Sequence, residues 1–243
     1  MIIDLFRQGL SPQEIAYSLI VILLALMISF SFHEFMHAAV AVWLGDETPR
    51  NMGRLTINPL AHLDPMGTVL LLVAGFGWGK PVMYNPSRLK RFKSHRWMNI
   101  MVHLAGVTGN LFIGYIANVF AIVFGALYIK FPQMATVFKA LFDASEYTYI
   151  FSLSLLAFNL LPIPPLDGFH VLEELLPYKF RSSDGYRKFQ SYAPMILMVL
   201  FLASSFGSLP ILSYMLNIIK TPFEYLISIL SMPFYLLFQM IGL

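Results

Sequence analysis

The chain has 243 residues, of which 58% are hydrophobic and only 12% charged. Soluble domains carry roughly 25% charged residues, so this balance, with a mean hydropathy of +0.69, excludes a water-soluble globular protein and describes a chain embedded in a membrane. The net charge of +3 is small, and with no cysteine disulfides and thiolate metal sites are excluded, so any metal must be held by His, Asp or Glu.

Residues 1–12 read as a short amphipathic lead with Ile2, Ile3, Leu5, Phe6 and Leu10 apolar. It contains no small-residue cleavage signal, so the first span is expected to be retained. Ser11-Pro12-Gln13-Glu14 is a helix start, with a Ser cap, Pro at the first helical position and an acidic first turn. Residues 15–32 carry no charge; eighteen such residues rise roughly 27 Å as a helix, close to the hydrocarbon thickness of a bilayer. The first span is therefore expected over 13–44, stopping at Gly45 with Pro49 beyond.

Residues 46–95 differ. Asp46, Pro49, Asn51, Gly53, Pro59, Asp64, Pro65 and Gly67 break any long helix, residues 54–58 alternate as a short strand would, and the apolar run 68–76 is too short to span. Gly75-Phe76-Gly77-Trp78-Gly79-Lys80-Pro81-Val82 follows. The expectation is a short β-hairpin and a re-entrant loop, tolerated at membrane depth only beside protein or a water-filled cavity. The basic run Arg88, Lys90, Arg91, Lys93 and Arg96 suits lipid headgroups rather than nucleic acid.

Long helices are expected over 97–129 and 147–161, the latter ending at Pro162. Lys179, Arg181, Arg187 and Lys188 form a second basic loop. From Ala193 onward the chain is apolar with breaks at 204–210 and at Thr221-Pro222, giving two or three more helices. The fold class is thus an all-α polytopic membrane protein of about five to six spans, one membrane-embedded unit over 1–243: the first span, a loop region over 46–95, core spans over 96–185 and C-terminal spans over 190–243. Residues 50–96 hold eight of the sixteen Lys and Arg, and 179–188 hold four more; the positive-inside rule puts both loops in the cytoplasm and the N-terminus outside.

The first span ends on His33-Glu34-Phe35-Met36-His37, an H-E-x-x-H motif. On a helix, positions i and i+4 share a face, so both rings can offer a nitrogen to one cation. Glu34, one residue along, is close enough to take a proton from water held there. A solvated helix face is the competing reading, but three polar groups directly after an apolar run are costly without a partner, and a divalent cation is one.

A catalytic zinc site has three protein ligands and one open position. In Asn159-Leu160-Leu161-Pro162-Ile163-Pro164-Pro165-Leu166-Asp167-Gly168, three prolines unwind the helix and leave Asp167 on irregular backbone near membrane depth. A helix cap is the bland alternative for this aspartate. Charge favours the ligand: Zn²⁺ with ionised Asp167 and Glu34 is neutral, whereas two isolated carboxylates in apolar surroundings are expensive. His170 is a lesser rival, and His62, His95 and His103 read as interface or core residues.

In order, His33-Glu34-x-x-His37, Gly106-Val107-Thr108-Gly109-Asn110 and Asn159…Pro162…Leu166-Asp167-Gly168 resemble the signature motifs of the site-2 proteases, intramembrane zinc metalloproteases. Residues 53–65 and 77–82 look like the compact bacterial members that lack a PDZ or CBS domain, and the similarity covers roughly 15–185. The resemblance implies Zn²⁺ on His33, His37 and Asp167, Glu34 as general base, Asn159 near the substrate carbonyl or its oxyanion, and Gly106 and Asn110 in handling the substrate backbone. Val107 stands where a Pro often follows the motif's Gly. The implied substrate is a single-span membrane protein or signal peptide, unwound and held by strand addition, with Leu55, Ile57 and residues 79–82 as the expected edge. The expected location is the cell membrane, and the loop charge bias puts the site towards the cytoplasm. The alternatives are a metal-ion transporter, which gains nothing from a base at Glu34, and a non-catalytic scaffold of the same fold.

Overall fold

A computed structural model of the chain describes residues 9–74, 77–205 and 211–240. The amphipathic lead up to residue 8, Gly75-Phe76 of the glycine-rich stretch and residues 206–210 of the first C-terminal break lie outside the described residues. The first helix, α1 (Pro12–Trp43), opens as its sequence dictates: Ser11 accepts from the Glu14 backbone and Glu14 reaches back to the Ser11 N–H, a reciprocal capping box with Pro12 in the first turn. It ends where Gly45 takes a φ of 113°, a conformation that L side chains rarely adopt.

Short pieces follow: α2 (Thr48–Asn51), α3 (Pro59–His62) and α4 (Pro65–Ala74). No strand forms among the described residues, which corrects the expected hairpin. Asn58 caps α3 through its side chain, with Pro59 in the first turn. The alternating stretch folds back on that turn: Arg54 bonds the Ala61 carbonyl, and the Thr56 carbonyl pairs with Nε2 of His62 at 2.8 Å. Two apolar residues at period two do not outweigh a capped turn. What remains of strand pairing is one antiparallel bridge, Leu63 to Gly79, with the Lys80 N–H donating to the His62 carbonyl at 2.7 Å.

The segment from Gly77 to Ser94 is a strap that returns across α1. Buried Asp46 anchors it: one carboxylate oxygen accepts from the Thr48 N–H (3.1 Å) and hydroxyl (2.6 Å), the other from the Asn85 N–H (2.6 Å). We predict that Asp46→Ala, which strands these donors, costs about 2–4 kcal/mol, read as a lowered thermal midpoint in detergent, with Asp46→Asn between it and wild type.

Among the described residues three helices are long and apolar enough to cross a membrane: α1, α5 (His95–Lys130) and, in the C-terminal part, α10 (Ile211–Met240). Helix α6 (Ala135–Asn159) packs against both α1 and α5. It begins twelve residues before the expected 147 because the polar connection is itself helical. Lys139 pairs with Asp143 one turn on at 2.6 Å, and Tyr17 of α1 donates to the same carboxylate at 2.7 Å. Deeper in, Ser152 donates to Ser29 at 2.9 Å and Ser29 to the Thr148 carbonyl at 3.2 Å, hydroxyl contacts that join helices where apolar surface alone has no preference between neighbour and lipid.

After an unwound stretch come α7 (Asp167–Leu175), α8 (Tyr178–Arg181) and α9 (Asp184–Ser205). The break expected at Thr221-Pro222 does not occur: α10 runs through Pro222 and Pro233. The Thr221 hydroxyl, just before the proline, bonds the Asn217 carbonyl one turn back at 2.7 Å.

Candidate metal centre

His33 and His37 face the same way from consecutive turns of α1, their rings edge to face with centroids 4.6 Å apart and their Nε2 atoms 3.0 Å apart. Both are buried, as is Glu34 between them in sequence. The third member arrives from the proline-rich bend. Residues 160–166 carry the chain out of α6, and Leu166 caps α7 with extended backbone. Gly168 lies so close to the Leu160 backbone that a Cβ there would collide with it. Asp167 is thereby pressed inward, with Oδ2 at 3.3 Å from Nε2 of each histidine.

These three atoms form a group able to hold a metal ion. Oδ2 of Asp167 is buried and satisfied by no hydrogen bond among the described residues. Two imidazole lone pairs and a carboxylate converging at 3.0–3.3 Å repel one another unless a cation is shared. A tetrahedral zinc site with bonds of about 2.0–2.1 Å has ligand-to-ligand edges of about 3.3 Å, so spacing and donor set both fit zinc.

Helix α5 runs antiparallel to α1 and presents three residues one turn apart. The Val102 carbonyl accepts from Nδ1 of His37 at 2.7 Å, which fixes that ring's tautomer and leaves Nε2 free for the ion. Gly106 lies flat against both rings, where any Cβ would collide with His33 and His37. Asn110 is fully buried, its Nδ2 3.2 Å from Nδ1 of His33 and its Oδ1 without a partner among the described residues. The strap supplies one more contact: the Val82 N–H donates to a carboxylate oxygen of Glu34 at 3.0 Å.

His33, His37 and Asp167 are therefore brought together, with Glu34, Gly106 and Asn110 beside them. Gly106 and Asn110, expected to handle the substrate backbone, touch the histidines. Asn159 is tied to its own helix, donating to the Leu155 carbonyl at 3.0 Å. Leu55 and Ile57 lie on the folded-back turn, Ile57 64% exposed, so they form no strand edge. His170 is not in the ligand group. It stacks on His103 with centroids 4.8 Å apart, and His103 bonds the Tyr84 hydroxyl at 3.0 Å. Burial, together with the Glu174 and Asp167 carboxylates, raises the Tyr84 phenol above its ordinary range, so Tyr84 stays neutral and can hold the strap to α5. The Val102 carbonyl and the Val82 N–H have no sequence signature. Only the spacing 102, 106, 110 hints at a shared face.

A helical membrane bundle with two histidines, an aspartate and an adjacent glutamate enclosed among its helices has the layout of a metallopeptidase. The chain matches the model of peptidase family M50 over residues 21–204 and belongs to that family, the site-2 proteases. It is 38% identical over 181 residues to "Putative zinc metalloprotease YwhC" of Bacillus subtilis (strain 168), covering 74% of this chain and 79% of the relative. It is 30% identical over 208 residues to "Putative zinc metalloprotease Rip2" of Mycobacterium tuberculosis (strain ATCC 25618 / H37Rv), covering 80% of this chain and 72% of the relative. No solved structure matches the chain.

Proposed function

We propose that this zinc metalloprotease hydrolyses a peptide bond in or near the membrane-spanning segment of a single-span membrane protein or signal peptide. The observation that carries the reading is the His33, His37 and Asp167 triangle, buried at the end of an apolar helix with Glu34 next in sequence. Zinc held there would polarise the scissile carbonyl and acidify a water towards neutrality. Glu34 is the base that takes the proton of the attacking water and returns it to the leaving amine. Its neighbour Val82 donates a hydrogen bond to one carboxylate oxygen and so orients the base.

A transmembrane helix hides its carbonyls, so the substrate enters unwound. The strap over residues 77–85, which crosses α1 at Phe30 and Glu34, is the element we assign to meeting it, with Asn159 serving the carbonyl oxygen. In this reading α6 and α9 join the three long apolar helices as spans, five in all. The clustering of Lys and Arg in 50–96 and 179–188 supports a cell-membrane protein with its site towards the cytoplasm.

Protein purified in detergent should contain one zinc per chain. Stripping it with a chelator should stop cleavage of a panel of single-span substrates, and adding zinc back should restore it. Metal-free protein that cleaves as fast as the loaded form sinks the reading.

A further inference from the structure

Each histidine of the pair uses Nε2 towards the shared metal and so needs its proton on Nδ1. For His37 the acceptor of that proton is the Val102 carbonyl. For His33 the group at that place is the side chain of Asn110, two turns further along the same face of α5. We propose that Asn110 is a positioning residue of the metal centre: its side-chain oxygen accepts the Nδ1–H of His33 and holds the ring in the tautomer that leaves Nε2 open to zinc. The inference rests on the metal centre described above.

The amide atoms decide the case. With Nδ2 facing the ring, as it stands at 3.2 Å, Asn110 donates to Nδ1. The ring proton then sits on Nε2, pointing at His37 and Asp167, and His33 cannot be a ligand. In the same placement Oδ1 is buried with no partner among the described residues. The two ends of a carboxamide have nearly the same shape, and the surrounding hydrogen bonds determine which is which. Turned over, the oxygen meets Nδ1–H and the ligand lone pair is freed. Burial counts against a direct substrate contact, because Asn110 is fully enclosed. Gly106, one turn earlier, supports the same assignment. Its missing Cβ lets α5 approach closely enough for a side chain as short as Asn to reach the ring.

The test compares wild type with Asn110→Ala, Asn110→Leu and Asn110→Asp in detergent, measuring zinc affinity by chelator competition alongside thermal melting of the metal-free protein. Ala and Leu should bind zinc about 10–100-fold more weakly, while Asp, which keeps an acceptor at that place, should stay within a few-fold of wild type. In zinc-loaded wild type labelled with ¹⁵N-histidine, His33 should carry its proton on Nδ1, a readout that needs no variant to fold. The proposal is overturned if Asn110→Ala binds zinc as tightly as wild type while the KM for substrate rises. It is equally overturned if folded Asn110→Asp fails to recover affinity, or if Nδ1 of His33 is unprotonated. A wild type that binds no zinc, or binds it no better than His33→Ala, faults the metal centre itself and not Asn110.

Discussion

Glu34→Gln should leave zinc in place and remove cleavage. The amide is the same size as the carboxylate, and its oxygen can still accept the Val82 N–H that Glu34 accepts at 3.0 Å, so strap and helix have no reason to move. What is lost is the ability to take a proton from water. A positioned general base contributes typically 10²–10⁴-fold, so kcat/KM should fall about 10³-fold, or about 4 kcal/mol in the barrier, at unchanged metal content. Glu34→Asp retains the base but draws it back by one methylene, and should fall between the two. A metal carrier built on the same ligands would move its ion equally well with Gln. Cleavage by the Gln variant at the wild-type rate would remove Glu34 from the chemistry.

Gly106→Ala should separate stability from function in the opposite way to an ordinary core substitution. In an exposed helix interior, Gly to Ala favours folding by about 1 kcal/mol. Here the added methyl would overlap atoms of both His33 and His37, which must tilt away from each other and from Asp167. The helix gains and the site loses, so thermal stability of the metal-free protein should change little while zinc affinity falls more than about 100-fold. The drop exceeds that for a lost outer contact because both ligand rings are displaced. Equilibrium dialysis against zinc, paired with a melting curve, reads both quantities. Tight zinc binding by Gly106→Ala would show that α5 does not press on the histidines.

Much of this architecture is legible from residue order alone, for identifiable reasons. The charge-free runs at 15–32 and in the long second helix leave a bilayer-spanning helix as the only way to satisfy the backbone, and α1 and α5 fall within two residues of the expected bounds. The convergence of His33, His37 and Asp167 is readable because His and Asp in apolar surroundings are costly unless paired. The start of α6 was hidden because its Lys139–Asp143 pair looks, as a string, like a polar connection. The expected strand at 54–58 failed because a cap at Asn58 acts locally, whereas a strand needs a neighbour that those residues do not find. The break expected at Thr221-Pro222 is absent because proline is tolerated in long apolar helices, and the helix runs on through Pro222 and Pro233. The roles of Val102 and Val82 lie in backbone atoms, which every residue type shares.

The centre draws on helices made at very different times: two imidazoles from the first span off the ribosome, a glycine face from the second, and a carboxylate that emerges only after a third helix and its proline bend. A half-synthesised chain therefore has nothing to cut with. The three groups meet only once the proline bend has docked against the first helix, so the centre is a product of tertiary assembly rather than of any one helix.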